Sequence, residues 1–171
     1  MFLLSSLATL GQLHSWNEIQ REAEKRNVDS VLAWTNAIQL DHLNKREVYE
    51  FYDARGKTSR ALAIAGQEKM AIERINKALA DCEEHPGKET VIYGLLLKSK
   101  SETLDLLGHY EDVFEVLDEA ERILLPLPDN QEILMQVYRQ YGKMTYASGD
   151  YHTSVVYYSK RLDIANQLYS D

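Results

Sequence analysis

Gly66, Gly108 and Gly149 stand 42 and 41 residues apart, and three segments repeat one another when aligned on them. Seven residues before each glycine the side chain is small: Ser59, Ser101 and Gly142. Five residues after it comes Ala71, Val113 or Ser154, and nine after it Ile75, Leu117 or Tyr158. Two residues after the second and third glycines stand Tyr110 and Tyr151, with Glu68 the exception in the first. A period of this length is the mark of a stacked array in which each repeat is one supersecondary unit.

Each repeated feature has a mechanical reason. A glycine supplies the left-handed backbone that ends one helix and turns the chain into the next. Small residues before and after it let two antiparallel helices approach closely, and the larger apolar residue beyond fills the space where the next unit stacks. Pro86 and Pro128 both fall 20 residues past their glycine, where a helix must stop. Between these points the apolar residues keep helical spacing, and no stretch alternates as a strand does. The expected fold class is therefore all-α, a single helical domain over residues 1–171.

The stretch Leu107, Gly108, His109 and Tyr110, followed by Val113, Leu117 and Ala120, resembles the tetratricopeptide repeat (TPR) pattern. So does Tyr138, Tyr141 and Gly142, followed by Gly149, Asp150, Tyr151, Ser154 and Tyr158. The family's usual period is about 34 residues, so the spacing here resembles the extended-helix variants found in bacterial signalling and regulatory proteins. Arg161 stands where the family prefers alanine. The resemblance implies a right-handed α-solenoid of antiparallel helix pairs, with repeats over about 46–87, 88–128 and 129–171. Residues 1–45 are read as a degenerate repeat or an N-terminal cap over the open end. Ser15 and Glu18 have the spacing of a capping box that would open a helix to about Asn27, with Trp16, Ile19 and Ala23 on one side. Asp29 or Ser30 would cap another, carrying Leu32, Trp34, Ile38 and Leu43.

Charge narrows the choice of partner. A formal net charge of -8 argues against nucleic acid, whose phosphates call for a basic surface, and against docking on an anionic membrane. Cys82 is the one cysteine, so the chain has no intramolecular disulfide, and a cytoplasmic location is expected. Residues 2–10 are apolar, but they lack a basic flank and are too short to span a bilayer. They are read as the first helix of the fold.

Signs of catalysis are thin, and no catalytic residue, metal site or cofactor is expected. Arg55, Gly56, Lys57 and Thr58 include the Gly-Lys-Thr ending of a phosphate-binding loop, but Phe51 stands where that loop needs its first glycine. The five histidines have no i, i+4 partner; His109 and His152 flank repeat turns and are expected to face solvent. Asp41 and His42 are helical neighbours that point in different directions. Glu83 and Glu84, and the group Glu111, Asp112, Glu115, Asp118 and Glu119, read as solvated helix faces. Of the 11 tyrosines, most are expected at helix–helix seams and a minority on a recognition surface.

The expected function is that of a non-catalytic protein- or peptide-binding scaffold or regulator. The alternative is a small-ligand sensor or enzyme with a pocket between helices. The resemblance implies ligand-facing positions on the first helix of each pair. They fall at Asp53 and Arg60, at Leu95, Lys98, Glu102 and Asp105, and at Gln136, Arg139, Lys143 and Tyr146. Arg60, Lys98, Arg139 and Lys143 recur on this inferred face, which would suit an acidic peptide or a terminal carboxylate. The family's clamp for chaperone C-termini needs asparagine and lysine positions that are not reproduced. The last helix is apolar on more than one side, which calls for a second subunit or a continuing chain to cover it.

Overall fold

The computed structural model describes residues 18, 19, 21, 22, 27–38 and 40–169. Within them the chain is all-helical, and no strand occurs. The helices are α1 (Val28–Asn36), α2 (Lys45–Ile64), α3 (Glu68–Glu84), α4 (Val91–Leu107), α5 (Tyr110–Leu124), α6 (Gln131–Ala147) and α7 (Tyr151–Tyr169), with one 3-10 turn, Leu40–His42.

All three repeat glycines sit at equivalent bends. Gly66, Gly108 and Gly149 have φ of 73°, 81° and 86°, in the left-handed region where a Cβ costs energy. At each bend the same two hydrogen bonds close the finished helix. The amide after the glycine donates to the carbonyl five residues back: Gln67 to Leu62 at 2.9 Å, His109 to Leu104 at 3.0 Å, and Asp150 to Thr145 at 2.9 Å. The glycine's own amide donates three residues back, at 3.0 to 3.1 Å. This is the Schellman closure, and it makes hairpins of α2–α3, α4–α5 and α6–α7.

The small residues meet across the first and third hairpins as their spacing predicts. Ser59 Oγ donates to the Ala71 carbonyl at 2.8 Å in the first hairpin. In the third the donor has changed sides: Ser154 Oγ on α7 donates to the Gly142 carbonyl on α6 at 2.9 Å. In the second, Ser101 Oγ turns back to the Lys98 carbonyl of its own helix at 2.7 Å, while Val113 is fully buried.

First helices also pack on first helices: α2 lies against α4, and α4 against α6. In addition α3 contacts α4 and α5 contacts α6, so α4 touches α2, α3, α5 and α6. A continuous core runs through these contacts, with Tyr52, Ile75, Leu96, Leu117 and Val137 fully buried. Gly56 exists for the α2–α4 approach, since a Cβ there would lie 2.6 Å from Ser99 Oγ. The would-be phosphate loop is therefore the middle of a helix.

At the N-terminal side α1 packs on α2, burying Val31 against Ala54 and Ile19. Its N-cap is Asn27, without a side-chain cap bond, rather than the expected Asp29 or Ser30. Trp34, Ile38 and Leu43 are partly buried, while the Leu32 side chain lies outside the described set. A capping box opens α2: Asn44 Oδ1 accepts from the Arg46 and Glu47 amides, and Glu47 Oε2 accepts from the Asn44 amide at 2.9 Å. Residues 2–10, Ser15, Trp16 and Ala23 fall outside the described residues. Among the described residues no helix is long and apolar enough to cross a membrane.

Candidate functional site

The strongest gathering of charge spans the three first helices. Arg60 comes from α2, Lys98, Glu102 and Asp105 from α4, and Arg139 and Lys143 from α6. Spacings of three and four residues put each group on one face of its helix, and the α2–α4–α6 contacts bring those faces together.

Glu102 is the hub. It is buried, and its Oε2 accepts from Lys98 Nζ at 3.2 Å and pairs by charge with Arg60, whose Nη1 lies 3.1 Å away. Its Oε1 accepts from Arg139 Nη2 at 3.2 Å. One turn on, Asp105 Oδ2 accepts from Gln140 Nε2 at 2.9 Å and also from Lys143 Nζ. Four cations thus stand against two carboxylates, leaving the patch positive on an acidic protein. Arg60 keeps a buried Nε with no hydrogen-bond partner. Lys98 is only 5% exposed; burial pushes its pKa down and Arg60 adds to the effect, while Glu102 pulls it back.

Around this hub opens a cleft of about 370 Å³, lined by Arg60, Glu102, Asp105, Leu106, Arg139, Gln140, Lys143 and Tyr158. Arg139 also borders a second cleft of about 240 Å³, with Glu132, Met135 and Gln136 on α6 and Arg161 and Tyr169 on α7.

Six of the ten positions expected to face a ligand come together here: Arg60, Lys98, Glu102, Asp105, Arg139 and Lys143. The other four do not line this cleft. Asp53 pairs with Lys57 Nζ within α2 at 3.0 Å, and its charge also acts on Lys98. Leu95 is 2% exposed and belongs to the core. Gln136 lines the neighbouring cleft, and Tyr146 sits at the hairpin end with its ring centroid 5.2 Å from that of Tyr151. Gln140, Leu106 and Tyr158 were not expected in the cleft wall. Gln140 adjoins Arg139 and lies three residues before Lys143, a hint that was there to be read; for Leu106 no sequence signal pointed to the cleft.

The remaining reactive groups are occupied structurally. The Cys82 thiol is fully buried and pushed up to about 12 by desolvation, which makes it a poor nucleophile. Tyr138 donates to Glu121 at 2.9 Å and Tyr141 donates to Asp118; burial first and these carboxylates second raise both phenols. Tyr157 stacks on Tyr141 with ring centroids 4.1 Å apart. By contrast Tyr110, Tyr146, Tyr151, Tyr158 and Tyr169 are exposed. His109 is not a free surface group, for its Nε2 lies 3.0 Å from Glu68 Oε1 and joins the first two hairpin turns. His152 is exposed, as are Asp41, His42, Glu83 and Glu84. Among the described residues no group of three His, Cys, Asp or Glu side chains is placed to hold a metal ion.

Compared with the models of known protein families, with curated proteins and with solved structures, the chain matches none.

Proposed function

We propose that this chain is a non-catalytic module that binds a protein or peptide, a right-handed α-solenoid of tetratricopeptide type. Its charged cleft takes an acidic segment of the partner. The equivalent bends at Gly66, Gly108 and Gly149 and the stacking of α2, α4 and α6 support the solenoid reading. A bacterial signalling or regulatory protein of the cytoplasm is the setting that reading favours.

The observation that carries the binding proposal is the surplus of cations around Glu102 and Asp105. A buried carboxylate holds Arg60, Lys98 and Arg139 in place before any ligand arrives, and preorganisation of this kind reduces what binding must spend on ordering side chains. Arg60, Arg139 and Lys143 remain partly exposed and can take a carboxylate. The cleft's open form favours an extended ligand over a small enclosed one.

The test is fluorescence anisotropy of a labelled Asp/Glu-rich peptide and of a Lys-rich peptide of equal length. The acidic peptide should bind, weaken as salt rises, and lose at least about tenfold in affinity with Arg139→Gln plus Lys143→Gln. Equal binding of both peptides, or an undiminished affinity in the folded double variant, would remove the cleft from consideration.

A further inference from the structure

The last helix carries a second surface. Helix α7 packs on α6 through Ser154, Tyr157 and Ile164. Beside that buried face runs an apolar stripe made by Tyr151, Val155, Tyr158, Leu162, Ala165 and Tyr169. Successive gaps of four, three, four, three and four residues put all six within about 40° of one line along the helix, the seam spacing of helices that pair lengthwise. The exposures are 62% for Tyr151, 64% for Val155, 59% for Leu162 and 67% for Tyr169, and the stripe includes no charged side chain.

We infer that this stripe is a self-association surface, on which a second copy of the chain lays its own α7 antiparallel. Two observations select that occupant. The first is size: with rings that bury about 150–250 Å² each, the exposed parts of the stripe and the adjoining Tyr146 come to roughly 600 Å² per copy. Pairing then removes about 1,200 Å² in total, which reaches the range of specific, stable interfaces. The second is the asymmetry of the molecule's two sides. On α2 the outer face is covered by α1, with Val31 and Ala54 fully buried, whereas on α7 the corresponding apolar face is bare. Covered by α1, α2 offers no free face to a neighbour's α7, so bare face meets bare face about a twofold axis and the assembly closes as a dimer.

Antiparallel overlap centred between Tyr158 and Leu162 is also self-complementary in volume. Tyr151 meets the partner's Tyr169, Val155 the partner's Ala165, and Tyr158 the partner's Leu162, so two of the three kinds of layer set a larger group against a smaller one. Arg161 lies at the α6 edge of the stripe, where it lines the cleft with Glu132 and Gln136. Since Tyr158 also lines the charged cleft, the dimer sets the two clefts beside a shared seam.

Sedimentation velocity of the 171-residue chain at about 1 to 100 μM tests the pairing. The expected result is a mass that rises to twice the 19.7 kDa of the monomer and stops there. Val155→Lys with Leu162→Lys changes two exposed positions, so the helical circular dichroism should be retained while the mass falls to 19.7 kDa. A wild-type monomer throughout the range would overturn the inference, as would a dimer indifferent to the double substitution. Masses that climb beyond a dimer would overturn the closed pairing.

Discussion

The small residues of this protein differ in what stands beside them. A Cβ at Gly56 would lie 2.9 Å from Ser99 Cβ, an atom fixed to the α4 backbone, and one at Gly142 would meet the Tyr158 ring, also at 2.9 Å. In the monomer the ring is 40% exposed and can swing outward, whereas Ser99 cannot move without its helix. Alanine in a helix interior is worth up to about 1 kcal/mol over glycine, and overpacking costs about 1–3 kcal/mol. Gly56→Ala should therefore destabilise by about 1–2 kcal/mol, and Gly142→Ala should change stability by less than about 1 kcal/mol, in urea unfolding. Equal losses at the two sites would show that Tyr158 is not free to move. Sequence made Gly142 legible as a small residue at the hairpin seam; it could not show that Gly56 serves a different seam, between α2 and α4. The ion pairs show the same limit. Arg60, Lys98, Arg139 and Lys143 could be placed on one face from helical spacing, but spacing along a helix says nothing of how near the next helix comes. That the Glu102 carboxylate gathers three of them depends on the approach of α2, α4 and α6. The depth of Lys98 was hidden for that reason, and a charge reversal there would bury two carboxylates together.

Each hairpin depends on its bend. At Gly66, Gly108 and Gly149 no atom lies within 4 Å of the position a Cβ would take, so a substitution there meets only the backbone penalty. Alanine at Gly108 should cost about 1–2 kcal/mol, with asparagine cheaper because its short polar side chain tolerates the left-handed region. Urea unfolding of the two variants measures both values, and an alanine variant as stable as the wild type would deny the bend its role. These bends were the most legible elements of the chain, since a positive φ leaves few residue choices. The start of α2 was equally open to reading, because Asn44 and Glu47 have the spacing of a capping box. Spacing alone does not say whether a candidate stands at a helix start, and burial of Val48, Phe51 and Tyr52 behind Asn44 supplies that answer only in three dimensions.

Across the whole molecule, order is expected to follow the packing. Helix α4 touches four other helices and buries residues around its whole circumference, whereas on α7 only Ser154 is fully enclosed. Hydrogen exchange on dilute protein should find the slowest amides in α4 and faster ones in α1 and α7; uniform protection along the chain would contradict this. The graded pattern is what nearest-neighbour stacking implies, and it places the partly exposed cations of the cleft on α2 and α6, the two helices that flank the best-anchored one. One consequence lies in the hydroxyl that crosses the hairpin seams. Ser59 reaches from the first helix to the second, and Ser154 reaches from the second to the first. Between Ser101 and Val113 no hydroxyl crosses, so the junction accepts a donor from either helix and also closes by apolar contact. Repeats built to such a rule can drift apart letter by letter while their shape stays constant, so kinship among the three units is written more plainly in their geometry than in their residues.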